Sequence, residues 1–122
     1  MMEISYIPCI SLPGGELKHG PIALISDGSP VIAIAPSDST INLMESSIRE
    51  CKSRGAKIIL ITDSEGPISE LADILIQTYP THPDLSAFSS IIPIQLLAYH
   101  VGLENGVNVD RPRNLAKSVT VV

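Results

Sequence analysis

The sequence predicts an α/β fold, a three-layer sandwich in which helices cover a central parallel sheet. Short β-branched runs at residues 31–35, 57–61 and 74–77 alternate with segments of helical periodicity. Such alternation is typical of parallel strands joined by right-handed crossovers. The chain has 122 residues, the length of one domain with a core of its own.

The first strand is predicted at residues 31–35, a continuous apolar run bounded by Pro30 and Pro36. A run of this kind is typical of a parallel strand that is buried on both faces. Residues 37–40 follow it and are three hydroxyl side chains and one carboxylate, the types that cap helix N-termini. A helix is then predicted up to Gly55, because apolar residues recur at spacings of three and four: Ile41, Met44, Ile48 and Cys51.

The second strand is predicted at residues 57–62 and the third at 74–77, with a short helix between them at 68–72. A long helix is expected from about residue 85 to residue 104, where Asn105 and Gly106 end it. Its apolar residues lie nearly all round, which predicts burial on most sides and an interface with another subunit.

Composition excludes several classes of function. The formal net charge of −5 makes bulk attraction to nucleic acid or to an anionic membrane unfavourable. The longest apolar runs fall short of the roughly 20 residues that span a bilayer. Two cysteines are typical of a reduced, cytoplasmic chain, and the histidines lack metal-ligand spacing. We therefore expect a cytoplasmic protein with no metal and with neither nucleic acid nor membrane as a partner.

Three segments carry residues suited to chemistry, and each has an ordinary structural alternative. Ser37 opens a loop at a strand end and a helix start, where backbone N–H groups favour anions; the alternative is simple capping. His19 lies between flexible residues and suits proton transfer; the alternative is an incidental surface histidine. The tail holds Arg111, Arg113 and Lys117, which suit a phosphorylated small molecule; the alternative is a frayed basic tail.

Three motifs, GELKHGPIALI at 15–25, QLLAYHV at 95–101 and DRPRNLAKSVTV at 110–121, closely resemble glutamine–fructose-6-phosphate aminotransferase, also called glucosamine-6-phosphate synthase. Residues 3–7 add a weaker match, so the resemblance runs from residue 3 to the end. The full enzymes of that family have a glutaminase domain and two sugar isomerase (SIS) halves, and this chain resembles the second half. The resemblance implies a single SIS-type domain over 1–122 with a basic C-terminal tail over 107–122.

The resemblance also implies roles for individual residues. Glu3 matches the acid–base glutamate that moves a proton between C1 and C2. His19 matches the histidine that reaches across the dimer and opens the ring of the sugar bound at the neighbouring site. Lys117 matches the lysine that forms a Schiff base with the open-chain ketose. No metal or organic cofactor is implied. Substrate contacts are expected at Ser37, Arg111, Arg113, Asn114 and Ala116, and the expected ligands are fructose 6-phosphate and glucosamine 6-phosphate.

The chain departs from the family pattern at Pro8, where the family continues an unbroken helix. A proline inside a helix costs about 3 kcal/mol, so the helix that carries Glu3 is expected to be short or displaced. The phosphate-holding loop belongs to the first SIS half of the family and has no equivalent here, so we expect the chain alone to be inactive.

Three functions stay open. The first is the isomerase half of a glucosamine-6-phosphate synthase, active when the missing half complements it. The second is a non-catalytic SIS module that binds phosphosugars or pairs with another SIS protein. The third, a different SIS enzyme such as a sugar-phosphate deglycase, is disfavoured by the complete Asn-Leu-Ala-Lys tail. In each case we expect a homodimer or a pairing with another SIS half.

Overall fold

A computed structural model describes residues 1–113. The described residues divide into two compact units, one made of Met1–Ile10 with residues 94–113 and the other of Ser11–Pro93. The helices are α1 (Met2–Ser5), α2 (Ile41–Lys52) and α3 (Ser86–Glu104), and the strands are β1 (Pro30–Ile34), β2 (Lys57–Thr62) and β3 (Ile74–Gln77). Short 3-10 helices occupy Gly14–His19, Pro21–Leu24, Pro67–Leu71 and Pro83–Leu85.

The three strands form one parallel sheet in the order β1-β2-β3. Ala33 of β1 is the register partner of Leu60 in β2, and Leu60 is the partner of Leu75 in β3. All three predicted strands are confirmed, with ends that shift by one residue at most. The segment predicted as a short helix at 68–72 is a 3-10 helix at Pro67–Leu71.

One face of the sheet forms the core with α2. The predicted apolar face of α2 is confirmed, because Ile48 and Cys51 are both 2% exposed and belong to one buried cluster with Ile58 and Leu60. Burial raises the pKa of the Cys51 thiol above its ordinary value, so the thiol stays neutral at physiological pH.

The opposite face of the sheet consists of isoleucines, since side chains alternate along a strand. The register gives two rows of three: Ile32, Ile59 and Ile74, then Ile34, Ile61 and Ile76. Ile61 on the central strand is fully buried, whereas Ile34 is 40% exposed and Ile74 is 57% exposed. The prediction that β1 is buried on both faces is therefore wrong for this chain, because its isoleucine face is left partly exposed at Ile34.

The long helix α3 is present as predicted, but it is not buried on most sides. Phe88, Ile92, Leu96, Tyr99 and Leu103 are 42–68% exposed, and their spacings of four, four, three and four place them on one face. We call these five residues the apolar stripe of α3. A helix with an exposed stripe of this kind is suited to packing against another polypeptide surface.

By length and composition alone, one helical segment of the described chain could cross a membrane. It is Pro83–Glu104, 22 residues with a mean hydropathy of 1.3, and 17% of its apolar window is buried. The expectation that every apolar stretch is too short is wrong by this measure. One such helix is weak evidence of a span, because the core helix of a globular protein meets the same criterion. The absence of a membrane partner stays a prediction.

The carboxylate of Asp73, directly before β3, forms a pH-dependent hydrogen bond with the backbone of β2. Its Oδ2 accepts the Ile58 N–H at 2.7 Å, and the Lys52 Nζ lies 3.5 Å from Oδ1. The hydrogen bond from Ile58 holds the pKa of Asp73 below its ordinary value of 3.8, and the Lys52 charge acts in the same direction. The carboxylate therefore contributes stability above the unfolded-state pKa, and this contribution is lost as the pH falls through the lower folded-state pKa.

Replacing Asp73 with asparagine is expected to reduce the loss of stability below about pH 4, where unfolded aspartates take up protons. The urea midpoint of the wild-type chain, measured from pH 7 down to pH 3, should fall more steeply than that of Asp73→Asn. Asp84→Asn, which removes a carboxylate with an 88% exposed side chain, is the matched control. Identical pH profiles for the wild type and Asp73→Asn would contradict this role.

Candidate functional site

Glu3 lies on α1, which has only four residues. The helix ends at Tyr6, whose backbone is left-handed at φ 56° and ψ 26° and whose N–H donates to the Met2 carbonyl at 3.1 Å. The prediction of a short helix is confirmed. Pro8 disfavours helical backbone at Ile7, and the left-handed Tyr6 ends the helix one residue before that. Left-handed backbone costs a residue with a Cβ roughly 1–2 kcal/mol, so neighbouring contacts must hold Tyr6 in place.

Two close contacts fasten α1 to the last turns of α3, within the same unit. The buried Ser5 Oγ donates to the Ala98 carbonyl at 2.7 Å. A Cβ at Gly102 would lie 2.7 Å from the Ile4 carbonyl oxygen, so only glycine fits there. These contacts fix the backbone of α1 while the side chain of Glu3 stays exposed.

The first residues of the C-terminal tail, up to Arg113, fold back onto the end of α1. The Asn108 Oδ1 accepts the N–H groups of Asp110 and Arg111 at 3.1 and 3.2 Å, which forms a compact turn. Beyond it, the Arg113 N–H donates to the Tyr6 hydroxyl at 2.7 Å, and the Arg113 guanidinium lies 4.2 Å from the Tyr6 ring centroid. The structure thus joins Arg113 to the end of the helix that carries Glu3. Sequence reasoning missed Tyr6, since nothing in its spacing indicated this contact.

His19 is exposed at the end of the 3-10 helix Gly14–His19, and Gly20 follows it with φ 138°. Two contacts hold that helix on the rest of its unit. Leu17 packs against the core, and the Lys18 Nζ lies 2.8 Å from a Glu50 carboxylate oxygen. His19 is therefore presented on a fixed turn and is free to meet a ligand or another chain.

Ser37 lies where β1 leads into α2, and its backbone N–H and both donors of Thr40 already have acceptors within the chain. The Ser37 N–H donates to the Asp63 Oδ1 at 2.6 Å, and the Asp38 Oδ1 accepts both the N–H and the hydroxyl of Thr40. The Thr40 hydroxyl, and then its N–H, hold the pKa of Asp38 below its ordinary range. Two carboxylates at this helix start oppose a phosphate there. A substrate contact at Ser37 stays a prediction with this geometry against it.

A cleft of about 330 Å³ opens at the carboxyl ends of β2 and β3, the edge of a parallel sheet where ligands collect. Two carboxylates and one amide are among the side chains that line it: Asp63, Glu65, Gln77, Thr78, Tyr79 and Pro80. Carboxylates and an amide can bind hydroxyl groups or cations, and they disfavour an anion. Of the predicted site residues that lie within 1–113, none lines this cleft.

The predicted residues fall into three groups. Glu3, Arg111 and Arg113 belong to one unit, and His19 and Ser37 belong to the other. Lys117, Asn114 and Ala116 lie outside the described residues. Within residues 1–113, no group of three or more His, Cys, Asp or Glu side chains is placed to hold a metal ion. The roles of these residues, the single domain over 1–122 and the basic tail over 107–122 stay predictions.

Comparison with known proteins gives consistent matches. The chain is 49% identical over 121 residues to the glutamine–fructose-6-phosphate aminotransferase of Thermococcus kodakarensis, a match that covers 99% of this chain and 20% of that protein. The enzyme of the same name from Pyrococcus horikoshii is 49% identical over 119 residues and is matched to the same extent, 20% of its length. This chain thus spans about a fifth of the length of these relatives.

Solved structures share the fold. The C-terminal domain of glucosamine-fructose-6-phosphate aminotransferase from Francisella tularensis matches with a TM-score of 0.76 and 36% identity, over 90% of this chain and 31% of that one. A Listeria monocytogenes protein, 17% identical with a TM-score of 0.66, shares the fold alone. The family model of the SIS domain matches residues 1–104. The chain therefore belongs to the SIS domain family and is homologous to the isomerase half of glutamine–fructose-6-phosphate aminotransferase.

Proposed function

We propose that this chain supplies one half of a glucosamine-6-phosphate synthase isomerase site, which converts fructose 6-phosphate and ammonia to glucosamine 6-phosphate once the missing half is present. The observation that carries the proposal is the 49% identity to such an aminotransferase over 99% of this chain. The relatives are about five times as long, so the ammonia source and the rest of the site must come from elsewhere.

In this proposal the Lys117 amine attacks the carbonyl of the open-chain ketose and forms a C=N bond with loss of water. Glu3 moves a proton between C1 and C2, and His19, reaching across a dimer, opens the ring. A free lysine with a pKa of about 10.4 is neutral only about once in a few thousand molecules at pH 7. Arg111 and Arg113 are the nearest cations in sequence, and neighbouring positive charge favours the neutral amine.

Substrate contacts are proposed at the exposed residues Arg111 and Arg113, at Asn114 and Ala116, and at Ser37. Arginine matches the geometry of phosphate oxygens and can bind them in bidentate fashion. The substrate class in this proposal is a phosphosugar, and the reaction proceeds in the cytoplasm without metal or organic cofactor.

The proposed partner is a second copy of the chain or another SIS half. The apolar stripe of α3 and the open isoleucine face of the sheet leave large side chains exposed, among them Phe88 at 68% and Ile74 at 57%. Burial of such surface contributes about 25 cal/mol per Å², which favours association.

The proposal is tested by supplying the missing half from a relative and adding borohydride together with fructose 6-phosphate. Borohydride reduces an imine to a stable amine, so peptide mapping should place the sugar on Lys117. The matched variants are Lys117→Met, which should abolish the adduct, and Lys18→Met, which should leave it. An adduct on Lys18, or on no lysine, would remove Lys117 from the mechanism.

A second candidate function is a non-catalytic SIS module that binds phosphosugars or pairs with another SIS protein. The Ser37 N–H already donates to the Asp63 carboxylate, which opposes a phosphate at this loop, so for the chain alone this contact favours pairing with another SIS protein over turnover. A complemented protein that binds fructose 6-phosphate in calorimetry but traps no sugar on any lysine would favour this second function.

A further inference from the structure

We propose that Tyr6 and Arg113 form a clamp that fixes the start of the C-terminal tail on α1, and that Tyr6 is a positioning residue for Lys117. The positioning role rests on the proposed function, in which Lys117 forms the imine. The clamp itself rests on contacts within one unit of the structure, and it is tested independently of the proposed function.

Two different contacts join the pair. The Arg113 backbone N–H donates to the Tyr6 hydroxyl at 2.7 Å, and the Arg113 guanidinium lies 4.2 Å from the centre of the Tyr6 ring. The second distance is well within the roughly 6 Å at which a cation is attracted to an aromatic face. One tyrosine thus contacts both the backbone and the side chain of Arg113. Two separate contacts hold a residue more firmly than a single surface contact does.

The backbone of Tyr6 points to the same conclusion. Among the described residues, Tyr6 is the one non-glycine residue with positive φ, at 56°. A bulky residue in this conformation is an outlier that surrounding contacts must maintain. The left-handed turn at Tyr6 ends α1 and directs the Tyr6 ring towards Arg113. Helical backbone at this position would point the ring in a different direction.

The placement of the clamp matters for the proposed chemistry. Tyr6 lies three residues after Glu3, directly after the helix that Ser5 and Gly102 fasten to α3. Arg113 precedes Lys117 by four residues in the sequence. The clamp therefore ties the segment of the acid–base glutamate to the segment of the imine-forming lysine. Misplacement of a reacting group by about 1 Å can cost roughly a hundredfold in rate, so this tie has a catalytic consequence.

The clamp is tested first on the full 122-residue chain, without any substrate. Trypsin cleavage after Arg113 requires the guanidinium to leave the Tyr6 ring. Tyr6→Leu should accelerate this cleavage about tenfold, since the ring contact and the hydrogen bond are lost together. Cleavage after Lys57, in the central strand β2, is the internal reference for global unfolding. Tyr79→Leu, at an 89% exposed tyrosine, is the matched control.

A milder variant guards against misfolding. Tyr6→Phe keeps the ring but removes the hydroxyl acceptor, so amide hydrogen exchange at Arg113 should rise about fivefold, the factor an ordinary hydrogen bond gives. Arg113→Gln keeps the backbone N–H and should change that exchange less. Cleavage and exchange that match the wild type in both Tyr6 variants would overturn the clamp.

The positioning role is tested in the complemented protein by borohydride trapping of fructose 6-phosphate. Tyr6→Leu should lower the maximal trapping rate on Lys117 about tenfold or more. Arg113→Gln, which also removes a proposed substrate contact, should in addition raise the sugar concentration that gives half the maximal rate. Arg113→Lys, which keeps a cation for the ring, should retain more of the rate than Arg113→Gln.

The outcomes separate the two proposals. Faster cleavage with an unchanged trapping rate would keep the clamp and overturn the positioning role. A wild-type complemented protein that traps no sugar would overturn the proposed function and the positioning role with it, while the cleavage result would still decide the clamp.

Discussion

Replacing Leu60 with alanine should lower the free energy of unfolding by about 2–5 kcal/mol, the range for a fully buried leucine. Leu60 is 0% exposed at the centre of β2 and belongs to the cluster that packs the sheet against α2. Its removal takes apolar atoms from the core and leaves a cavity that the flanking strands can close only in part. Urea unfolding followed by circular dichroism measures the change.

The matched control is Leu75→Ala. Leu75 is the register partner of Leu60 on the neighbouring strand, but it is 44% exposed, so the same substitution should cost less than half as much. If both variants lost equal stability, the exposed part of β3 would have to be covered by another chain in solution. In that case the cost at Leu75 should fall on dilution, which the same unfolding experiment at several protein concentrations would reveal.

The sequence was sufficient to predict the strands because their signal is local. Residues 57–62 form an apolar, β-branched run, and such a run between polar loops has few alternatives to a buried strand. The α2 helix was equally clear, since Ile48 and Cys51 recur at helical spacing. Burial of the outer strands was not predictable in the same way. The apolar side chains of Ile34 and Ile74 favour burial, but their identity does not reveal which surface, of this chain or of another, would cover them.

The candidate site was predictable only in part, because its contacts are not local. The short helix of Glu3 was expected from Pro8, a neighbour in the sequence. The contact of Arg113 with Tyr6 spans 107 residues, and no periodicity reports it. The hydrogen bond from the Ser37 N–H to Asp63 likewise joins residues that follow two different strands. The hydroxyl-rich composition of residues 37–40 alone suggests an anion site there.

The largest expected effect concerns catalysis by the chain on its own. The purified 122-residue protein, given fructose 6-phosphate with glutamine or with ammonia, should form no glucosamine 6-phosphate. Correct positioning of reactants supplies roughly 7–11 kcal/mol of a barrier, which corresponds to about five or more orders of magnitude in rate. The described part of this chain does little to supply it, since Glu3 and His19 are exposed and carboxylates line the Ser37 loop and the neighbouring cleft.

Product formation is measured by chromatography, and binding of fructose 6-phosphate by calorimetry, with the complemented protein as the positive control. Weak or undetectable binding and no product are expected for the chain alone, because the carboxylates beside Ser37 repel a phosphate. Robust turnover would contradict this and would require a phosphate site within the chain. The variants Ser37→Pro, which removes the loop N–H, and Asp63→Asn, which removes the opposing charge, would then locate it: the first should abolish binding at this loop, and the second should strengthen it.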